Sequence, residues 1–272
     1  MIRRVVIAAL AVVAVAGGSV TAACSAGPGS SPASSATDQL SIYAAASLKD
    51  ALVAVRDAYE TERPGTTLVI ATDSSSTLRT QIEEGAPADV FLSADETNPE
   101  RLVESGLADG QALVFAGNRL TVIVPADNPA GIETPSDLAR PGVKVIAAGD
   151  EVPITRYAQQ VVDNLAAEPS SPQGFAEAYA ANVVSREENV KAVAAKIELG
   201  EGDAAIVYVT DALAASDVTI VEIPPSANVA ATYAGVVIGA SPRIEAARVL
   251  LDWLAGPEGA AILGQFGFVT PS

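Results

Sequence analysis

The sequence has no histidine, and only one cysteine, one methionine and one tryptophan in 272 residues. Without histidine there is no Ser-His-Asp triad, no Cys-His pair and no histidine-ligated zinc. A single cysteine excludes an intrachain disulfide, a CxxC redox pair and a cysteine-held iron–sulfur cluster. Positive charge is scarce too: 16 Lys and Arg stand against 33 Asp and Glu, a formal charge of −17. A nucleic-acid binder needs the opposite balance to neutralise phosphates. Hydrophobic residues make up 49% of the chain and charged residues 18%, the composition of a folded protein. The length suits one large domain or two ordinary ones.

The N-terminus reads as a targeting segment. Arg3 and Arg4 precede an unbroken apolar run from Val5 to Ala16, too short for a stable membrane span. Thr21-Ala22-Ala23 then leads into Cys24, the only cysteine, where a bacterial lipoprotein signal is cut and the thiol acylated; Thr21 takes the place of the usual Leu or Val. The simpler alternative is an ordinary signal cut after an Ala, with Cys24 incidental. The arginine pair lacks the rest of a twin-arginine motif, so export runs by the Sec route. The expectation is a lipoprotein signal over 1–23, a flexible Ser/Gly/Pro/Ala tether over 24–39, and an extracytoplasmic body lipid-anchored to the cell membrane. Its acidity bears on solubility more than on ligand.

From Leu40 onward, short apolar runs alternate with helical patterns. Strands are expected at Leu40–Ala45, Thr67–Ala71, Asp89–Ser93, Leu120–Pro125, Lys144–Ala148, Ala204–Val209, Val218–Ile223 and Tyr233–Gly239. Helices are expected at Leu48–Thr61, with Leu48, Leu52, Val55 and Tyr59 on one stripe, and at Ser76–Glu84, Val190–Leu199 and Pro242–Leu254. The alternation means an α/β fold with a mainly parallel sheet. Breaks at Pro125–Pro135 and Glu168–Gln173 suggest two lobes with a cleft, and ligands of such sheets sit at strand ends, where helix N-termini point.

Four strand–helix junctions stand out. In Tyr43-Ala-Ala-Ala-Ser47-Leu-Lys-Asp50, Ser47 alone reads most simply as half of a capping box with Asp50; the functional reading is that Ser47 and the N–H groups after it face an anion. In Asp73-Ser74-Ser75-Ser76-Thr77, four hydroxyls in a row exceed what capping needs, and Asp73 should point away from any anion. In Gly149-Asp-Glu-Val152-Pro153-Ile154-Thr155, Pro153 reads as the first residue of a helix, leaving the Ile154 and Thr155 N–H groups free. In Glu188-Asn189-Val190-Lys191, Asn189 reads as an N-cap, with the Val190 N–H at a helix start. Together these describe a receptor for a small oxyanion held by N–H and O–H dipoles rather than by full countercharges. A donor-only site matches a fully deprotonated anion; one that keeps a proton needs an acceptor as well.

These segments, with Gly85-Ala-Pro-Ala-Asp-Val-Phe-Leu-Ser-Ala-Asp95, Ile206-Val-Tyr208-Val-Thr-Asp211 and Gly256-Pro-Glu-Gly259, resemble the periplasmic molybdate-binding proteins of ABC importers from about residue 40 to the end. The resemblance implies a type II periplasmic-binding-protein fold: two α/β lobes, 40–119 with 230–272 and 120–229, hinged near Asn118-Arg119 and Thr232-Tyr233. It implies molybdate or tungstate bound by the Ser47 and Ser75 hydroxyls, the Ile154 and Val190 N–H groups and the Tyr208 hydroxyl. There would be no direct metal ligand, no cofactor and no catalysis. The partners would be the oxyanion and a transporter permease, with no nucleic acid, and a monomer suits one cleft docking on one transporter. Taken without the resemblance, Tyr208 reads as a half-buried strand-end residue. Ile154 and Thr155 replace the Ala and Gly of the family pattern, and Thr155 offers an extra hydroxyl. The rival readings are a receptor for sulfate or another small anion, and an exported hydrolase with Ser47 or Ser75 as nucleophile. For the latter no base is visible, since Lys49 and Lys191 form no Ser-x-x-Lys motif.

Overall fold

A computed structural model describes residues 38–271. The signal, Cys24 and nearly all of the tether lie outside the described residues. Among the described residues nine strands form: β1 (Asp38–Ala45), β2 (Thr66–Asp73), β3 (Val90–Ser93), β4 (Ala108–Pro125), β5 (Val145–Ala148), β6 (Val183–Glu187), β7 (Ala205–Tyr208), β8 (Val218–Val221) and β9 (Ala230–Ile238). The α-helices are α1 (Lys49–Glu62), α2 (Ser75–Glu83), α3 (Thr97–Glu104), α4 (Pro153–Ala167), α5 (Phe175–Asn182), α6 (Val190–Glu198), α7 (Val209–Ala214), α8 (Ile244–Ala255) and α9 (Pro257–Gln265). The chain thus enters β1 at Asp38, inside the stretch read as tether, and pairs there with Thr66.

The main sheet has the order β2-β1-β3-β9-β4-β7, with β8 also on β4; β5 and β6 form a separate pair. The pivotal strand is β4, eighteen residues long. Its first part, Ala108–Arg119, runs antiparallel to β9. From Leu120 it changes neighbours, pairing with β7 and then β8. One continuous strand therefore joins the group β1-β2-β3-β9 to the group that holds the Tyr208 strand.

The expectation of a mainly parallel sheet is corrected. The pairs β1–β2, β1–β3 and β5–β6 are parallel, but every pairing made by β4 and β9 is antiparallel. The sheet is mixed because these two strands carry the chain from one group to the other and back. The sequence also gives no warning of β6, of the front of β4, or of α3, α5, α7 and α9. In β6 the burial alternates between half-buried and exposed, so it lacks the apolar run that marks the other strands.

The stripe on α1 packs as its spacing requires: Leu48, Leu52, Val55 and Tyr59 are all buried. Tyr59 meets the Trp253 ring of α8 edge-on at 5.1 Å, and Trp253 Nε1 donates to Glu62 Oε2 at 2.9 Å, so the indole is both packed and satisfied. Where β9 crosses β3, backbone and side chains meet at Gly235: a Cβ there would lie 2.8 Å from Leu92 Cδ2 and 2.9 Å from Leu251 Cδ1. Only a glycine allows that approach.

Candidate functional site

Five chain segments bring Ser47, Ser75, Ile154, Val190 and Tyr208 to the wall of one small cavity. Each arrives at an element boundary. Ser47 sits in a single 3-10 turn, Ala46–Leu48, that links β1 to α1. Ser75 is the first residue of α2, Ile154 the second of α4 and Val190 the first of α6. Tyr208 is the last residue of β7. The N–H groups of Ile154 and Val190 fall in first helical turns, where no intrahelical acceptor exists, and the helix dipoles add positive potential at the same ends.

The hydroxyl cluster divides its labour. Ser74 is the N-cap of α2, accepting from Thr77 N at 3.2 Å, and its Oγ also meets Ser76 and Thr77. Ser75 Oγ instead accepts from Ala94 N at 3.0 Å, which leaves its own hydrogen for a partner in the cavity. Sequence spacing alone does not single out Ser75 from its neighbours. Asn189 caps α6 as expected, accepting from Ala192 N at 3.0 Å. Asp73 turns away from the cavity: its Oδ1 accepts from Ser74 N and from Asn189 Nδ2 at 3.1 Å.

Two readings of single residues are corrected. Ser47 makes no capping bond with its side chain; its Oγ lies 2.8 Å from Tyr233 Oη, while Asp50 pairs with Lys191 Nζ at 2.6 Å. The competing hydrogen bond to Tyr233 draws the serine out of the capping position. Thr155 adds no donor to the cavity. Its hydroxyl donates to Gly149 O at 2.7 Å and contacts Ala148 O at 3.2 Å, and its N–H donates to Val152 O. Both groups are spent on the turn that starts α4.

Tyr208 is the most informative residue. It is 1% exposed, and its hydroxyl has no hydrogen-bond partner. A buried hydroxyl left unpaired costs free energy, which makes this one a candidate contact for a ligand atom. Burial, followed by the neighbouring Tyr233, Tyr157 and acidic groups, raises its pKa well above the ordinary tyrosine range; the group keeps its proton and acts as a donor. Rings hold it in place: Tyr157 lies 6.3 Å and Tyr233 5.7 Å from it, both inclined edge to face.

Across the cavity, acids from one group of elements meet donors from the other. Beside the Asp73–Asn189 contact, Asp95 Oδ2 accepts from Arg156 Nη2 at 2.9 Å, and Arg156 also reaches Thr97. The Asp50–Lys191 pair closes the far side. Among the described residues, no arginine or lysine lines the cavity itself. Among the described residues, no group of three or more acidic, histidine or cysteine side chains is placed to hold a metal ion, and no helix is long and apolar enough to cross a membrane.

A cavity walled by neutral hydroxyls and helix starts, between two strand groups joined by β4, is the design of a receptor for a small solute. The family described as bacterial extracellular solute-binding protein matches residues 40–269. The molybdate-binding protein ModA of Mycobacterium tuberculosis is 34% identical over 247 residues, 90% of this chain and 90% of that protein. Among solved structures, the periplasmic molybdate-binding protein of Azotobacter vinelandii superposes with a TM-score of 0.73 at 24% identity, covering 86% of this chain and all of that one. The sulfate-binding protein SubI of M. tuberculosis superposes with a TM-score of 0.75 at 21% identity, covering 85% and 86%; these two likenesses speak to the fold, the two-lobed α/β fold of periplasmic binding proteins. The chain belongs to the bacterial extracellular solute-binding proteins, in the family of the molybdate-binding protein ModA. That family works outside the cytoplasm in solute transport.

Proposed function

We propose that this protein captures molybdate, and tungstate, outside the cytoplasm and delivers it to the permease of an ABC importer. The observation that carries the reading is the buried, unpartnered Tyr208 hydroxyl, in one cavity with two serine hydroxyls and two helix starts. Each of these groups can donate a hydrogen bond, and a fully deprotonated tetrahedral oxyanion offers only acceptors. The M. tuberculosis relative named for molybdate, matched along nearly its whole length, supports the same ligand. Binding needs no cofactor and breaks no bond. On this reading the lobes are 40–119 with 230–272 and 120–229, each supplying part of the site, so that the ligand favours closure and the closed form is what the permease recognises. The protein acts as a monomer, held at the membrane by a lipid on Cys24.

The test is calorimetric titration of residues 36–272, a compact unit by itself, with molybdate, tungstate, sulfate and phosphate at neutral pH. Tight one-to-one binding of molybdate and tungstate, with sulfate far weaker, is the expected result. Preferential binding of sulfate would move the protein to the rival ligand, and silence toward all four would remove oxyanion capture altogether.

A further inference from the structure

Behind Ser47 lies a buried chain of polar groups that none of the ligand contacts explains. Asn118, on β4, is wholly buried, as is Tyr233 on β9. The Asn118 amide has one possible orientation, because its Oδ1 accepts from Arg119 N at 2.9 Å. Its Nδ2 therefore faces Thr210 Oγ1 at 2.9 Å and Tyr233 Oη at 3.4 Å. An amide nitrogen is only a donor, so the Tyr233 hydrogen cannot go there. The remaining partner of Tyr233 Oη is Ser47 Oγ, 2.8 Å away. Tyr233 must donate and Ser47 must accept. Burial, reinforced by Asp211, raises the Tyr233 pKa well above the usual tyrosine range, so its hydrogen is always present. The Ser47 hydrogen, having no use toward Tyr233, is left for the cavity that Ser47 lines.

We propose that Asn118 and Tyr233 are positioning residues that polarise the Ser47 hydroxyl into an obligate donor, and that this relay sets the preference for oxyanions carrying no proton over those that keep one. The inference rests on the reading of the cavity as an oxyanion site. An isolated serine can turn its lone pairs toward a protonated ligand oxygen and accept from it. Ser47 does so only at the expense of its own hydrogen: Tyr233 holds one lone pair, and turning the other toward the ligand leaves the hydrogen without an acceptor, since Tyr233 Oη is its one hydrogen-bond partner among the described residues and is itself the donor. The relay also places ligand recognition on β4 and β9, the two strands that join the strand groups. Hydrogen phosphate is then disfavoured at Ser47 by the direction of one buried hydrogen bond.

The experiment is a double-mutant cycle on the chain without its signal, comparing wild type, Tyr233→Phe, Ser47→Ala and the double variant by titration with molybdate and with inorganic phosphate at neutral pH, where phosphate keeps a proton. Tyr233→Phe should weaken molybdate binding about tenfold, the scale of one hydrogen bond to a charged ligand. In the Ser47→Ala background the same substitution should have no further effect, because its influence passes through that hydroxyl. Asn118→Asp supplies a carboxylate that accepts from Tyr233, so Ser47 then donates to the tyrosine and accepts from the ligand; the molybdate-to-phosphate affinity ratio should fall at least about tenfold. Equal losses from Tyr233→Phe in both backgrounds, or an unchanged ratio in Asn118→Asp, would overturn the relay. Should the buried carboxylate prevent folding, seen as loss of a cooperative melt, the Tyr233 cycle decides alone. If wild type binds no oxyanion, the oxyanion reading fails first, visibly and before any variant is compared, and the relay falls with it.

Discussion

Two hydroxyls in the same cavity have opposite relations to the fold. Tyr208 Oη touches no protein partner, so Tyr208→Phe removes a buried polar group that the free protein does not satisfy. Ser75 Oγ accepts the Ala94 N–H, so Ser75→Ala leaves that buried donor unpaired. Both variants should lose oxyanion affinity, by about 1.5–3 kcal/mol each for a hydrogen bond to a charged ligand. Only Ser75→Ala should also lower the melting temperature of the ligand-free protein, by an amount corresponding to about 1–3 kcal/mol. A Tyr208→Phe protein that melts lower while binding as before would restore Tyr208 as an ordinary core residue. That Ser47, Ile154 and Val190 sit at strand–helix junctions was legible in local patterns, whereas Ser75 and Tyr208 stood out only through the family resemblance. The supporting groups were not: Tyr233 lies 186 residues from Ser47, and no local pattern reports which way a buried amide points. Thr155 shows the converse, since a hydroxyl at a promising position is consumed by its own turn.

At the scale of elements, helices α1, α6 and α7 are tied by one charge cluster. Asp211, in α7, is buried; Lys191 of α6 lies 3.3 Å from its Oδ1, but without the alignment of a hydrogen bond. Lys191 also holds Asp50 of α1. Desolvation pushes the Asp211 carboxyl up to about 6, against the pull of Lys191. Between about pH 4 and 6 the folded protein therefore holds a proton that the unfolded chain has released, and stability from this group falls as pH rises through that window. Replacing the carboxylate with an amide removes the cost. Asp211→Asn should raise the melting temperature relative to wild type at pH 7.5, and the gain should shrink toward pH 5; a difference independent of pH would remove Asp211 as the titrating group. Pro153 and Asn189 made the starts of α4 and α6 readable, whereas Pro257, which opens α9, went unread. The mixed sheet was not, because strand direction is decided by β4 and β9, whose partners are far away in sequence. The front of β4 was missed although it holds the apolar run Ala112–Ala116, because Gly110 and Gln111 before it and Gly117, Asn118 and Arg119 after it read as loop between strands.

The whole molecule combines an acidic body with a narrow, neutral-walled site. Its charge of −17 gives an incoming anion no long-range attraction, so capture rests on the few dipoles in the cavity and on the contacts that close over them, Asp73–Asn189, Asp50–Lys191 and Asp95–Arg156. The same charge decides how the protein can stay at a membrane. An anionic leaflet repels an acidic chain, and adsorption there requires basic segments. No helix among the described residues is long and apolar enough to span. On the proposed reading the anchor is a lipid on Cys24, in the N-terminal region of the sequence. A second signal besides one acyl chain is generally needed for stable anchoring, and a diacylated N-terminal cysteine supplies two chains at one residue. Cys24→Ser should shift the protein from the membrane to the soluble fraction of the cells that export it, while the released protein keeps the full molybdate affinity of the untethered body, since no site residue precedes Ser47. Retention of Cys24→Ser at the membrane would show that the anchor is not this cysteine, and release with weakened binding would show that the tether takes part in the site.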